Sequence, residues 1–151
     1  LEEALAIYER KQDALGAAWT RLELCWQTRD LDESRKHIEF ALDAFREARE
    51  DEGLAIAESQ LGWNFLNRWQ APAAREAFYR SLELHELQGN RSEAAFVKER
   101  IGQTYLIEGD FPQAVAMKES ALKVFEELED SWSIAWPLRG AASVSVRSTS
   151  F

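Results

Sequence analysis

Apolar residues recur along this chain at steps of three and four, with polar residues between them. The run Ala114, Met117, Ala121, Leu122, Phe125 and Leu128 shows the spacing plainly. A helix collects such positions on one face, because 3.6 residues complete a turn. Strict alternation, the mark of a half-buried strand, is confined to Val144-Ser145-Val146. The pattern therefore predicts an all-α chain. First-type helices are expected near 14–28, 53–68, 91–108 and 133–147, and second-type helices near 1–12, 32–49, 72–88 and 112–128. Asp13, Asp51, Asn90 and Asp130 are placed to offer side-chain oxygens to free amides at helix starts. Gly109-Asp110 ends one helix, since glycine readily adopts the left-handed conformation. Pro72 and Pro112 fall in first turns, where proline is tolerated. Turns this short make neighbouring helices antiparallel.

The pattern also repeats. Shifting the chain by forty residues places Ala55 on Ala95, Gly62 on Gly102, Leu66 on Leu106, Ala74 on Ala114, Leu82 on Leu122 and Glu86 on Glu126. Pro72 falls on Pro112, so two of the three prolines share the offset. Leu61 with Ile101 and Phe65 with Tyr105 are conservative pairs. Toward both ends the echo continues with small slips: Leu5, Leu42, Leu82 and Leu122 each follow a small residue and precede a ring at Tyr8, Phe45, His85 and Phe125. Helix pairs repeated in this way bury their apolar faces by stacking on one another. A continuous coiled coil does not fit, because the Gly109-Asp110 break and the two prolines interrupt it and a heptad does not repeat at forty.

The segment from Ile101 through Gly102, Tyr105, Gly109-Asp110-Phe111 and Ala114 resembles a tetratricopeptide repeat (TPR). Leu61, Gly62, Phe65 and Ala74 match the same pattern one unit earlier, and Leu22 and Trp26 match it in the first unit. The forty-residue spacing, with Ala121-Leu122, Phe125-Glu126-Glu127-Leu128, Asp130 and Ile134-Ala135, is similar to the variety found in cell-polarity adaptors and in bacterial signalling ATPases and transcription regulators. The resemblance implies a TPR-type alpha-solenoid of antiparallel helix pairs wound into a right-handed superhelix. Residues 1–151 would form a single repeat domain of about three full repeats plus flanking helices, a segment of a longer array, with 148–151 as a tail. Three departures stand out. Glu23 replaces the small mid-helix residue of the first repeat, Trp69 takes the turn position of Gly109, and Pro137 falls early in the last helix.

In that family the concave surface is lined mainly by first-type helices. With Leu61, Gly62 and Phe65 turned into the stack, the groove would receive Ser59, Trp63, Leu66 and Asn67. The same reasoning gives Thr20, Leu24 and Gln27 in the first repeat, Phe96, Glu99 and Gln103 in the third, and Trp136 and Arg139 at the end. Trp63, Phe96 and Trp136 would hold apolar side chains, while Gln27, Asn67 and Gln103 would bond a peptide backbone. The Lys/Arg–Asn set with which some relatives clamp a terminal carboxylate is missing, which argues against chaperone-tail recognition. Trp19, Trp26 and Phe65 are expected in the core. The expected partner is a protein or peptide. The alternative is a sensor or regulatory segment of a larger bacterial signalling or transcription-regulatory protein, binding a small ligand or mediating oligomerisation. Uncapped repeat ends would favour a homodimer.

Composition narrows the chemistry. There are 18 Lys and Arg against 27 Asp and Glu, a net charge of −9, in 151 residues. Phosphate backbones demand the opposite sign, so direct nucleic-acid binding is not expected. The single cysteine, Cys25, permits neither an internal disulfide nor a multi-thiolate metal site, and His37 and His85 make no ligand cluster. Cys25 has no cationic neighbour in sequence and is expected as an inert buried thiol. His85 stands where other units carry a ring and is expected as a neutral, hydrogen-bonded packing residue. Arg68, Arg75 and Arg80, with Glu76 and Glu83 beside them, read as a solvated helix face. No nucleophile–base set or phosphate-cradling loop is present, so the expectation is a non-enzyme without cofactor or metal. No run approaches the roughly 18 apolar residues of a membrane span. No secretory signal opens the chain, which starts at Leu1. A cytoplasmic location and no membrane partner are expected.

Overall fold

The computed structural model describes the backbone of residues 1–135 and side chains through Glu129. Within these residues the chain is all-helical: α1 (Glu2–Arg10), α2 (Ala14–Gln27), α3 (Leu31–Ala48), α4 (Asp51–Leu66), α5 (Ala71–Leu87), α6 (Arg91–Glu108) and α7 (Phe111–Ala135). Each helix packs chiefly against its neighbours in sequence, and α2 also touches α4. The pairing of α4 with α5 is antiparallel. Gly62 lies against Phe78, while Ser81, one turn further along α5, donates to the carbonyl of Ala55, two turns back along α4, at 2.7 Å.

Local chemistry explains most boundaries. The Asp13 carboxylate accepts from Gly16 N at 2.9 Å to cap α2, and Asp30 accepts from Asp32 N and Glu33 N to cap α3. Asp110 accepts from Gln113 N to start α7. Three expected caps come out differently. Glu50, not Asp51, caps α4 through Gly53 N. Asn90 sits at the start of α6 but makes no side-chain capping bond. No helix starts at Asp130: α7 runs unbroken from Phe111 to Ala135, through the turn expected between 128 and 133. That stretch carries neither Gly nor Pro, the residues that follow α5 and α6 and stand in the first turns of α5 and α7. The helix expected near 133–147, with Pro137 and Val144-Ser145-Val146, extends beyond the described residues, as does the tail 148–151.

Left-handed residues turn the chain between hairpins. Gly89 and Gly109 take positive φ without penalty, but Gln12, Arg49 and Trp69 do so as well. Trp69, with φ of 59°, therefore keeps the conformation of Gly109 and bears its steric cost.

Two apolar clusters fill the interior. Ala18, Leu22, Ile38, Leu42, Phe45 and Leu61 anchor the first, and Leu66, Phe78, Leu82, Val97 and Ile101 the second. Small residues permit the close helix contacts. A Cβ at Gly62 would stand 2.5 Å from the Phe78 ring. The first repeat corrects the sequence register. Leu22 and Cys25 are buried, whereas Glu23 is exposed and Trp26 is 65% exposed. Leu22, forty positions before Gly62, therefore takes the mid-helix place, so Glu23 does not loosen the packing. Trp19 lies at the core edge, its ring edge-to-face with Phe45 at 5.0 Å.

One buried charge joins three helices. The Glu58 side chain on α4 is 3% exposed and accepts from Arg46 of α3 at 3.1 Å and from Arg80 of α5 at 2.9 Å.

Candidate binding groove

Helices α2 and α4 lie side by side, and the surface between them is concave. Two adjoining clefts share Trp26 and Gln60. The first, of about 180 Å³, runs between α2, α3 and α4 past Ser34, Trp63, Asn64 and Asn67. The second, of about 430 Å³, runs past Trp19, Glu23, Gln27 and Ile56. The α4 contribution follows from helical spacing: Gln60, Asn64 and Asn67 recur at steps of four and three, so one face presents three amides, with Trp63 beside them. On α2 the displaced register leaves Trp26 on the outside with Gln27 next to it.

The groove has an ordered polar floor. The Cys25 thiol donates to Gln60 Oε1 and to the Leu22 carbonyl. Burial pushes its pKa up to about 11, outweighing the opposing effect of its hydrogen bond with Ser34. It is protonated at neutral pH and inert as a nucleophile. Asn64 Nδ2 donates to the Leu31 carbonyl at 2.8 Å, and its buried Oδ1 has no partner. Arg100 lies over the Trp63 ring at 4.3 Å and donates to Gln103 Oε1 at 3.4 Å. A cation over an indole face both shields the ring and fixes its plane.

The sequence-expected residues distribute unevenly. Trp63, Asn67 and Gln27 line these clefts. Gln27 also meets Leu24 in a shallow cleft against α1. Ser59 and Glu99 are half-buried outside the two clefts. Phe96 is exposed but braced edge-to-face against Phe125 of α7 at 4.9 Å. Thr20 and Leu66 leave the groove: Thr20 is buried with its hydroxyl bonded to the Gly16 carbonyl, and Leu66 belongs to the second core cluster. Trp136 and Arg139 lie outside the described residues. Sequence reasoning passed over Gln60 and Asn64, although their spacing from Asn67 carried the signal, and it placed Trp26 in the core.

Other expectations sharpen. His85 is 2% exposed and burial lowers its pKa, so it is neutral, but its Nδ1 makes no hydrogen bond. The three arginines expected on a solvated face are all paired: Arg68 with Asp32, Arg75 with Glu108 and Arg80 with Glu58. Among the described residues no group of three His, Cys, Asp or Glu side chains is arranged to hold a metal ion, and no helix is long and apolar enough to cross a membrane. No protein-family model matches the chain, and no curated protein matches it significantly.

Proposed function

We propose that this chain is a TPR-type solenoid segment, right-handed in its winding, that acts as a protein- or peptide-binding scaffold through the α2–α4 groove. The single observation that carries the reading is Trp26. A tryptophan 65% exposed on the rim shared by two clefts, with Gln60, Asn64 and Asn67 along the floor, gives a ligand an aromatic surface and amide partners together. The forty-residue echo and the chain-ordered helix packing support the repeat assignment. The role is that of a non-enzymatic adaptor, and a cytoplasmic setting suits its free thiol. A peptide array probed with the intact chain tests it. Binding that survives Trp26→Ala combined with Asn67→Ala unchanged removes the groove from the mechanism.

A second reading has its own support. Phe111, Val115 and Leu122 on α7 are all more than half exposed. An apolar stripe of this kind fits a sensor or regulatory array that continues into further helices or pairs with a second copy.

A further inference from the structure

Three arginines of this chain are each held by a ring and a carboxylate together. Arg21 lies over Phe40 and pairs with Glu9, Arg35 lies over Phe65 and pairs with Glu39, and Arg75 lies over Tyr105 and pairs with Glu108. The groove face of α2 carries the same parts without an arginine. Trp19, Glu23 and Trp26 stand at steps of four and three, so the carboxylate is one turn from each indole. All three line the cleft of about 430 Å³ between α2 and α4. Trp26 is 65% exposed, Trp19 is 36% exposed, and Glu23 is exposed between them. Among the described residues no ion pair or hydrogen bond engages the Glu23 carboxylate.

The repeat shows which part is missing. One step along the array, Arg100 of α6 lies over Trp63 of α4. Forty residues earlier these two positions are Gln60 and Glu23. Gln60 is shorter than arginine and neutral, and its Oε1 already accepts from the Cys25 thiol. The α2–α4 step therefore carries no arginine of its own, and Gln60 and Glu23 both line the open cleft.

We infer that this cleft receives the arginine side chain of a peptide partner, its guanidinium stacked on the indoles and its N–H groups donated to Glu23. The inference rests on the α2–α4 groove being a peptide-binding surface and names the residue that the groove selects. Charge favours a cation there. Among the described residues Glu23 is the only ionisable one lining the cleft. Glu2 and Glu3 of α1 line the shallow cleft that adjoins it at Gln27. Trp26 and Gln27 close α2, at the negative end of its dipole. The cations of neighbouring elements do not line the cleft. Arg21 leaves α2 on the opposite side, toward Glu9 and Phe40. Arg29 lies beyond the end of α2, and Arg100 covers Trp63, a ring outside this cleft. Two flat indole surfaces and a forked acceptor suit a planar guanidinium better than the compact, strongly hydrated ammonium of lysine. Leu22 and Ile56 add apolar wall for the methylene stem.

The test titrates the intact chain with a capped glycine–arginine–glycine tripeptide and with its lysine and citrulline counterparts. Citrulline keeps the shape of arginine and loses its charge. The indole N–H signals of Trp19 and Trp26 are followed by NMR. The arginine tripeptide is expected to shift both signals saturably, with the citrulline one at least about tenfold weaker and the lysine one in between. Glu23→Gln, an exposed change of the same shape, is expected to weaken the arginine tripeptide about fivefold and to leave the citrulline one unchanged. If the variant fails to fold by circular dichroism, the wild-type ligand series decides. Citrulline or lysine binding as tightly as arginine overturns the inference, as does an unchanged arginine affinity in folded Glu23→Gln. Arginine-free array peptides that shift Trp26 while the arginine tripeptide fails would sink the arginine site and leave the groove standing. Failure of array peptides and tripeptides alike would remove both.

Discussion

Arg80 Nε donates to the buried Glu58 carboxylate at 2.9 Å, and that contact sets the electrostatics of the central helices. Arg46 reaches the other carboxylate oxygen from the opposite side. The arginines are about half exposed and the glutamate is not, so the two kinds of deletion differ. Glu58→Gln frees two arginines to be hydrated and is expected to cost about 1–3 kcal/mol. Arg46→Ala with Arg80→Ala strands a buried charge and is expected to cost about 3–5 kcal/mol. Urea denaturation with unchanged m-value measures both. Equal losses would show that the carboxylate is better hydrated than its burial implies.

Trp69 and Gly109 occupy equivalent left-handed turn positions, so opposite substitutions should have opposite signs. Trp69→Gly relieves the steric cost and gives back part of it as unfolded-chain entropy, for a net gain of about 0.5–1 kcal/mol. Gly109→Ala introduces the same strain and should lose about 1 kcal/mol. Thermal unfolding of the two variants side by side reads the difference. A destabilised Trp69→Gly would mean that the exposed indole packs on something in solution.

Gly62 meets the Phe78 ring so closely that no side chain fits between them. Gly62→Ala should overpack the α4–α5 contact and cost about 1–3 kcal/mol. Adding Phe78→Leu should recover much of the loss. Additive losses in the double variant would contradict a direct clash.

Stability should fall as acid is added from neutrality. Burial lowers the folded pKa values of His85 and His37 below the ordinary 6.5. The unfolded chain therefore binds protons first. The stabilisation is fully present above about pH 6.5 and is lost as pH drops through that value toward the folded pKa values. His85→Phe, which restores the ring carried by neighbouring units, should flatten the slope between pH 7 and 5.5. Urea midpoints across that range report it, and an unchanged slope would assign the effect elsewhere.

The repeat made the helical class and most boundaries legible. Cap residues, prolines and Gly109 are local signals, and local signals survive in one dimension. The long α7 was not legible, because Asp130 is a cap only where the chain actually turns. The groove was half legible. Trp63 and Asn67 follow from the face opposite Gly62, but matching Leu22 to Leu61 and Trp26 to Phe65 set the first unit one position out of step with the forty-residue offset that the burial pattern keeps. One position on a helix was enough to move Trp26 from the surface into the expected core. Gln60 and Asn64 escaped because buried amides on a helix facing two neighbours look, in sequence, like solvent-facing ones.

The division of the interior into two clusters makes α4 a party wall. Ala57 and Leu61 face one room and Leu66 the other. Contacts run almost wholly between helices adjacent in sequence, so each room can unlatch without emptying its neighbour. The candidate groove opens mainly on the N-terminal room and touches the other through Trp63, whose ring packs on the second cluster under Arg100 of α6. An occupant there would stiffen α2 through α4, reach α6 through that stack and leave the fluctuations of α7 nearly untouched. The chain would then report its cargo as a gradient of rigidity along its length rather than as a change of shape.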